Sequence, residues 1–256
     1  MKTLSKATAS LAIATLAFTY SVQAVPALAS TPVSLTAQEK ILEFSPGLSA
    51  EELTQALSDY AAQENITIDQ AAQETLADLQ GSLTWVQQAD QTEERRGADA
   101  SSGTGVVRDR VLAPGANRGD IFVTAATTLE HDHGHTGIYC RSDRIIEAPG
   151  AGQVSRNVPL EEVPVAAGTE IMSVNLPQET RDNVADWANA NLLERPYNIN
   201  FAVNKFGSFS ALNCSQLVWH AFDVAAGLDL DANGGLGVYP YNIKDSEHTT
   251  TYKVIP

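Results

Sequence analysis

The sequence predicts an α+β fold with a mostly antiparallel sheet and packed helices, preceded by a small all-helical N-terminal region. Residues 25–93 carry apolar side chains at helical spacing, and from residue 106 onward short apolar runs typical of strands take over. Two amphipathic helical patterns, at 177–193 and 214–226, lie among the later strands. Strands and helices that are grouped rather than strictly alternating favour α+β over a parallel α/β sheet.

The first 24 residues have the pattern of a secretory signal peptide. Lys2 and Lys6 form a positive start, Leu11–Tyr20 is a short apolar core, and small residues lead to a cleavage site after Ala24. The apolar run is shorter than the roughly 20 residues of a membrane span, although an uncleaved anchor is the alternative. We therefore expect an exported protein with no stable membrane span.

Charge limits the kind of partner. The 256 residues carry a formal charge of −15, and loss of Lys2 and Lys6 with the signal peptide would bring it to −17. Such a chain repels polyanions, so nucleic acid and anionic membrane surfaces are not expected as partners.

The N-terminal helical region, 25–93, carries no recognisable chemistry. Its helical patterns run over Leu35–Leu42, Ala50–Gln63 and Ile68–Val86, and Ser49 with Glu52 forms a capping-box pattern. The region reads as an accessory subdomain or a pro-segment.

A polar stretch rich in Gly, Ser and Ala, residues 94–105, is typical of a linker to a second domain over 106–256. Arg95 and Arg96 would be the processing site if the helical region is an inhibitory pro-segment.

The second domain opens with strand patterns. Two of them read as a hairpin joined by the polar tip Arg141–Asp143. The predicted strands are Ile121–Ala125, Thr136–Cys140, Arg144–Ala148, Thr169–Leu176 and 250–255. Pro177 is expected to open one helix, and Gly227 to end the helix that starts at Cys214.

Cys214 is the candidate nucleophile. It lies at the first turn of a helix, where unpaired backbone N–H groups and the helix dipole stabilise a thiolate. Its own N–H is placed to hold an oxyanion. The second cysteine, Cys140, makes a disulfide the competing interpretation, because an exported chain meets an oxidising environment.

A base is needed, and His135 is the candidate because it adjoins a strand beside Gly134 and Gly137. His220 lies about 240° round the helix from Cys214, and His248 is in a polar tail. An alternative is a zinc site, since His131, His133 and His135 would share one face of an extended segment.

Glu147 is the candidate that orients the histidine. It lies twelve residues after His135, on the second strand of the predicted hairpin. A three-residue tip would put the two side chains on one face as diagonal neighbours, whereas a two-residue tip would turn Glu147 away unless a bulge intervenes.

These motifs together, "GDIFVT", "HTGIYCRSDRIIEAPG", "RPYNINF" and "NCSQLVWHAF", resemble the permuted branch of the NlpC-like papain-fold cysteine hydrolases, the YiiX-type amidase-like group. The resemblance covers Gly119 to Gly227 and implies a circularly permuted papain-like domain, with the histidine strand before the cysteine helix. Two positions depart from that pattern: Asn213 stands where an aromatic residue is common, and Cys140 is an extra thiol.

The resemblance implies a catalytic Cys214, a general base His135 and an orienting Glu147, with no cofactor or metal. The expected reaction is hydrolysis of an amide in cell-wall peptide by a secreted or cell-wall-associated enzyme. Two alternatives stay open: a thiol acyltransferase or esterase acting on lipid acyl groups, and a non-catalytic exported binding module with a Cys140–Cys214 disulfide.

Overall fold

The computed structural model describes residues 35–93, 106–128, 131–205 and 209–256. The predicted signal peptide and the predicted linker, 94–105, lie outside these residues. Leu35–Pro256 forms one compact unit.

Helices occupy the N-terminal region and one side of the later sheet. They are α1 Ala37–Phe44, α2 Ala50–Glu64, α3 Ile68–Glu93, α4 Gln178–Asn191, α5 Cys214–Ala226 and α6 Pro240–Lys244, with a 3₁₀ turn at Leu160–Glu162. The capping box of Ser49 and Glu52 starts α2 as predicted. Gly227, at φ 63°, ends α5 in the left-handed conformation that glycine tolerates best.

The strands form antiparallel sheets. They are β1 Arg110–Val111, β2 Ile121–Thr124, β3 Thr127–Thr128, β4 His131–Asp132, β5 His135–Arg141, β6 Arg144–Glu147, β7 Arg156–Pro159, β8 Pro164–Val165, β9 Glu170–Val174 and β10 Thr249–Val254. The main sheet has six strands in the order β10-β9-β2-β5-β6-β7. Every pair in it is antiparallel, which confirms the predicted α+β class.

The β5–β6 hairpin differs from the prediction at its tip. Arg141 pairs with Arg144, so the turn has two residues rather than the three of the predicted Arg141–Asp143 tip. The register then shifts between Tyr139 and Arg141, which leaves Cys140 as an extra residue in β5. This bulge reverses the parity of the pairing.

The bulge determines the face of the sheet on which the Glu147 side chain lies. Ile138 pairs with Ile146 beyond the bulge, so Glu147 is level with Gly137 and on the same face as His135. The two-residue turn alone would have put the carboxylate on the opposite face.

Apolar side chains cover both faces of the sheet. One cluster joins β2, β5, β6 and β9 to α4, α5 and α6. A second, which includes Phe122, Tyr139 and Ile145, fills the other face.

The N-terminal helices share a third core with the later domain. Leu53 and Leu57 of α2 belong to the same buried cluster as Ala202 and Tyr239. The Ser45 hydroxyl, which is fully buried, accepts a hydrogen bond from the Ala202 amide at 3.1 Å. These contacts attach the segment between α4 and α5, which includes Ala202, to the N-terminal helical region.

Candidate active site

Cys214 lies at the first position of α5, where the sequence places it. The Asn213 side chain caps the helix by accepting the Gln216 amide at 2.9 Å, and the Gln216 side chain bonds back to the Asn213 amide. The capping bond therefore does not compete for the Cys214 N–H. The thiol is buried, with 3% of the residue exposed.

His135 opens β5 and Glu147 ends β6, and the structure joins the two side chains. His135 Nε2 lies 2.6 Å from Glu147 Oε2. Both residues are buried, and the Phe122 ring packs edge-on against the imidazole with 5.6 Å between the ring centroids. Because Nε2 is taken by the carboxylate, Nδ1 is the ring nitrogen left for the Cys214 thiol.

The surroundings of His135 and Glu147 favour the charged form of each. Burial alone lowers the pKa of His135, but hydrogen bonds to Cys214 and Glu147, together with their negative charges, raise that pKa to about 9. Burial likewise raises the pKa of Glu147, and the hydrogen bonds and positive charges of His135 and Arg156 outweigh it and hold that pKa below its usual value. At neutral pH these two shifts favour an imidazolium at His135 paired with the Glu147 carboxylate.

Tyr197 is a site residue that sequence reasoning missed. Burial, the Cys214 charge and a hydrogen bond with Cys214 raise the pKa of the Tyr197 hydroxyl well above its usual value. The Tyr197 amide donates to Gln153 O at 3.0 Å, and neighbouring Asn198 donates to the Gln216 side chain at 3.0 Å. The motif "RPYNINF" carries Tyr197, but no local pattern ties it to a cysteine seventeen residues later.

Gly137 lies where β5 approaches β6, Phe122 and the Glu147 side chain too closely for a larger residue. A methyl group there would lie 2.8 Å from the Ile146 carbonyl oxygen, 2.9 Å from the Phe122 ring and 3.3 Å from Glu147 Cβ. The first contact is with backbone, which cannot rotate away, so β6 and the Glu147 side chain would have to shift.

We expect Gly137→Ala to reduce turnover by roughly tenfold or more and to lower the free energy of unfolding by about 1–3 kcal/mol, the usual cost of overpacking. Denaturant melts and initial rates measure the two effects. The control is Gly81→Ala in α3, where a methyl group meets nothing within 4 Å. Equal activity of Gly137→Ala and wild type would contradict the assigned packing.

The two cysteines are both free in this structure, so the disulfide alternative finds no bond there. Cys140 is buried in the core beside α4 and α5. Its sulfur accepts from Asn157 Nδ2 at 3.3 Å and donates to Arg144 O at 3.5 Å. Burial raises the pKa of this thiol, which suits a core residue rather than a nucleophile.

The other histidines lie in different surroundings. His220 is buried between Phe209 and Trp219, and burial lowers its pKa to about 4. His133 stacks on Phe201 with 6.0 Å between ring centroids, and its Nδ1 lies 2.8 Å from Gly134 O. The side chain of His131 is outside the described part of the chain.

Among the described side chains, no group of three or more His, Cys, Asp or Glu is placed to hold a metal ion. Within the helices described, none is long and apolar enough to cross a membrane.

Comparison with known proteins gives a relative in sequence. YycO of Bacillus subtilis strain 168, described as uncharacterized, is 30% identical over 218 residues, which cover 85% of this chain and 86% of that protein. A solved structure described as the metalloprotein YiiX of Escherichia coli O157:H7 aligns with a TM-score of 0.41 and 18% identity, covering 57% of this chain and all of that one. No protein-family model matches the chain.

Proposed function

The chain belongs to the family of Bacillus subtilis YycO, and we propose that it is a cysteine hydrolase that cleaves an amide bond through Cys214, His135 and Glu147. The observation that carries the proposal is the convergence of three buried groups from α5, β5 and β6 into one hydrogen-bonded array. A nucleophile, a base and a residue that orients the base form the general arrangement of acyl-transfer catalysis. The proposed domain is a circularly permuted papain-like domain of the NlpC type.

The proposed reaction has two steps. The Cys214 thiolate attacks the carbonyl carbon, and the proton on His135 Nδ1 passes to the leaving nitrogen as the C–N bond breaks. Water then gives a proton to His135 and attacks the thioester, which releases the acid and restores the thiolate and imidazolium. Glu147 holds the imidazole in orientation throughout.

Two donors are available for the oxyanion. The Cys214 backbone N–H lies at the start of α5, where the helix dipole favours negative charge. The second donor is the Tyr197 hydroxyl, which hydrogen-bonds the Cys214 sulfur. Attack by the sulfur would bring the carbonyl oxygen close to both.

The proposed substrate is an amide of cell-wall peptide. An exported protein, if residues 1–24 act as a signal, meets the wall directly. We therefore propose that the protein is secreted or associated with the wall, and that its negative charge keeps it from binding polyanions nonspecifically.

Thiol alkylation tests the nucleophile without knowing the substrate. Iodoacetamide would be applied to the purified protein from about pH 4 to 9, and Cys214 and Cys140 would be read separately by peptide mass. We expect Cys214 to react at pH 6, well below the ordinary thiol pKa of about 8.5, and Cys140 to stay inert. The same reaction should slow by roughly tenfold or more in His135→Ala.

Substrate classes would then be compared with the same preparation. Release of amine from wall stem peptides supports the amidase, whereas turnover of acyl esters alone would replace it with the acyltransferase or esterase. A Cys214 that becomes labelled only after reductant is added would overturn the catalytic proposal in favour of the binding module.

A further inference from the structure

We propose that Arg156 is a positioning residue of this site, whose guanidinium fixes the Glu147 carboxylate and, through it, the His135 imidazole. The inference rests on the proposed function. Arg156 donates two N–H groups to Glu147 Oε1, from Nε at 2.9 Å and from a terminal nitrogen at 2.7 Å. The other carboxylate oxygen, Oε2, is the one bonded to His135. The carboxylate is thus held between a fixed cation and the imidazole.

The pairing follows from the sheet. Arg156 and Glu147 are directly opposite each other in the β6–β7 ladder, where cross-strand side chains meet. Two donors on a single oxygen restrict rotation of the carboxylate more than one donor would, which keeps Oε2 aimed at Nε2.

Burial explains why a cation is needed there. The side chain of Glu147 is only 2% exposed, and an unpaired carboxylate in such surroundings would take up a proton instead. A protonated Glu147 would no longer favour the imidazolium on which the thiolate depends. Because an arginine stays charged at every relevant pH, Arg156 keeps Glu147 ionised into the acid range.

Among the described residues, few other charged groups reach this part of the site. His135 from β5 and Arg156 from β7 are the groups that set the Glu147 charge, and Cys214 from α5 lies beyond the imidazole. On its outer side Arg156 approaches the Glu162 carboxylate at 4.0 Å and the Glu162 carbonyl at 3.4 Å. Its side chain is 34% exposed, so it is not a core packing group.

The test measures the rate of Cys214 alkylation against pH, which needs no substrate. The acid limb is the part of that profile where the rate falls as the pH is lowered. We expect Arg156→Gln to move the midpoint of that limb upward by about one pH unit, since an opposite charge at this range lowers a carboxyl pKa by 1–3 units. Arg156→Lys restores the charge with a single ammonium and should return the midpoint toward the wild-type position. The lysine variant also covers the case in which the glutamine variant does not fold.

Arg144→Gln is the matched control. Arg144 also ties β6 to β7, with two bonds of 2.8 Å to Asn157, but those bonds leave Glu147 untouched. A rise in the midpoint with Arg156→Gln and none with Arg144→Gln supports the positioning role. Equal midpoints in wild type, Arg156→Gln and Arg156→Lys overturn it while leaving the nucleophile in place. A wild-type Cys214 that alkylates like an ordinary thiol overturns the proposed function itself and this inference with it.

Discussion

Replacing Cys214 with alanine is expected to reduce turnover of a cleavable amide by about 10⁴-fold or more, because loss of a nucleophile removes the covalent route altogether. The fold should survive, since the alanine keeps a small apolar side chain beside the capped start of α5. Initial rates at saturating and limiting substrate measure the loss, and a thermal melt measures the fold.

Cys140→Ala provides the matched control for that experiment. Both cysteines are buried and free, at 6% and 3% exposure, so the two variants remove the same atom at similar burial. We expect Cys140→Ala to keep activity within a few-fold of wild type. Comparable losses in the two variants would mean that the effect comes from packing and not from chemistry.

The pH dependence of kcat/KM is expected to be bell-shaped with a broad plateau. The pKa of His135 is raised from 6.5 to about 9, so the ion-paired imidazolium persists at neutral pH and is lost as the pH rises through about 9. The pKa of Glu147 is lowered from 4.5, so its charge is complete above that pH and is lost only as the pH falls through the lowered pKa. The alkaline limb should therefore lie near pH 9.

Glu147→Gln tests the cause of the alkaline limb. The amide keeps a hydrogen-bonding group but removes a negative charge that raises the His135 pKa, so the limb should move to lower pH and the plateau should narrow. His220→Phe is the control, because His220 is a buried histidine that packs against the Phe209 and Trp219 rings. An alkaline limb that stays near pH 9 in Glu147→Gln would assign it to another group.

Local sequence signals placed the elements that carry the chemistry. The amphipathic pattern over 214–226 and the glycine at 227 located α5, and both signals belong to the helix itself. Alternation and turn residues located β5 and β6, and hence the strands that hold His135 and Glu147. The short edge strand β7 and the one-turn α6 were not predicted, because so few residues give no measurable periodicity.

Tertiary structure decided which face of the sheet the Glu147 side chain lies on and which residues surround the site. The sequence offered two hairpin tips with opposite outcomes for Glu147. The structure has the two-residue tip, and the bulge at Cys140 reverses its outcome. Tyr197 and Arg156 reach the array from separate segments, and no spacing rule connects them to it.

The sequence by itself determined a helix that begins at a cysteine and ends at a glycine, a histidine at a strand end and an acid on the next strand, because helix ends, turns and periodicity act over a few residues. Only the tertiary structure decided that these groups meet, that Arg156 backs Glu147 and that the N-terminal helices share a core with Ala202 and Tyr239. The physical reason is that strand register and side-chain contact depend on packing between distant segments, which leaves no signature within any one of them.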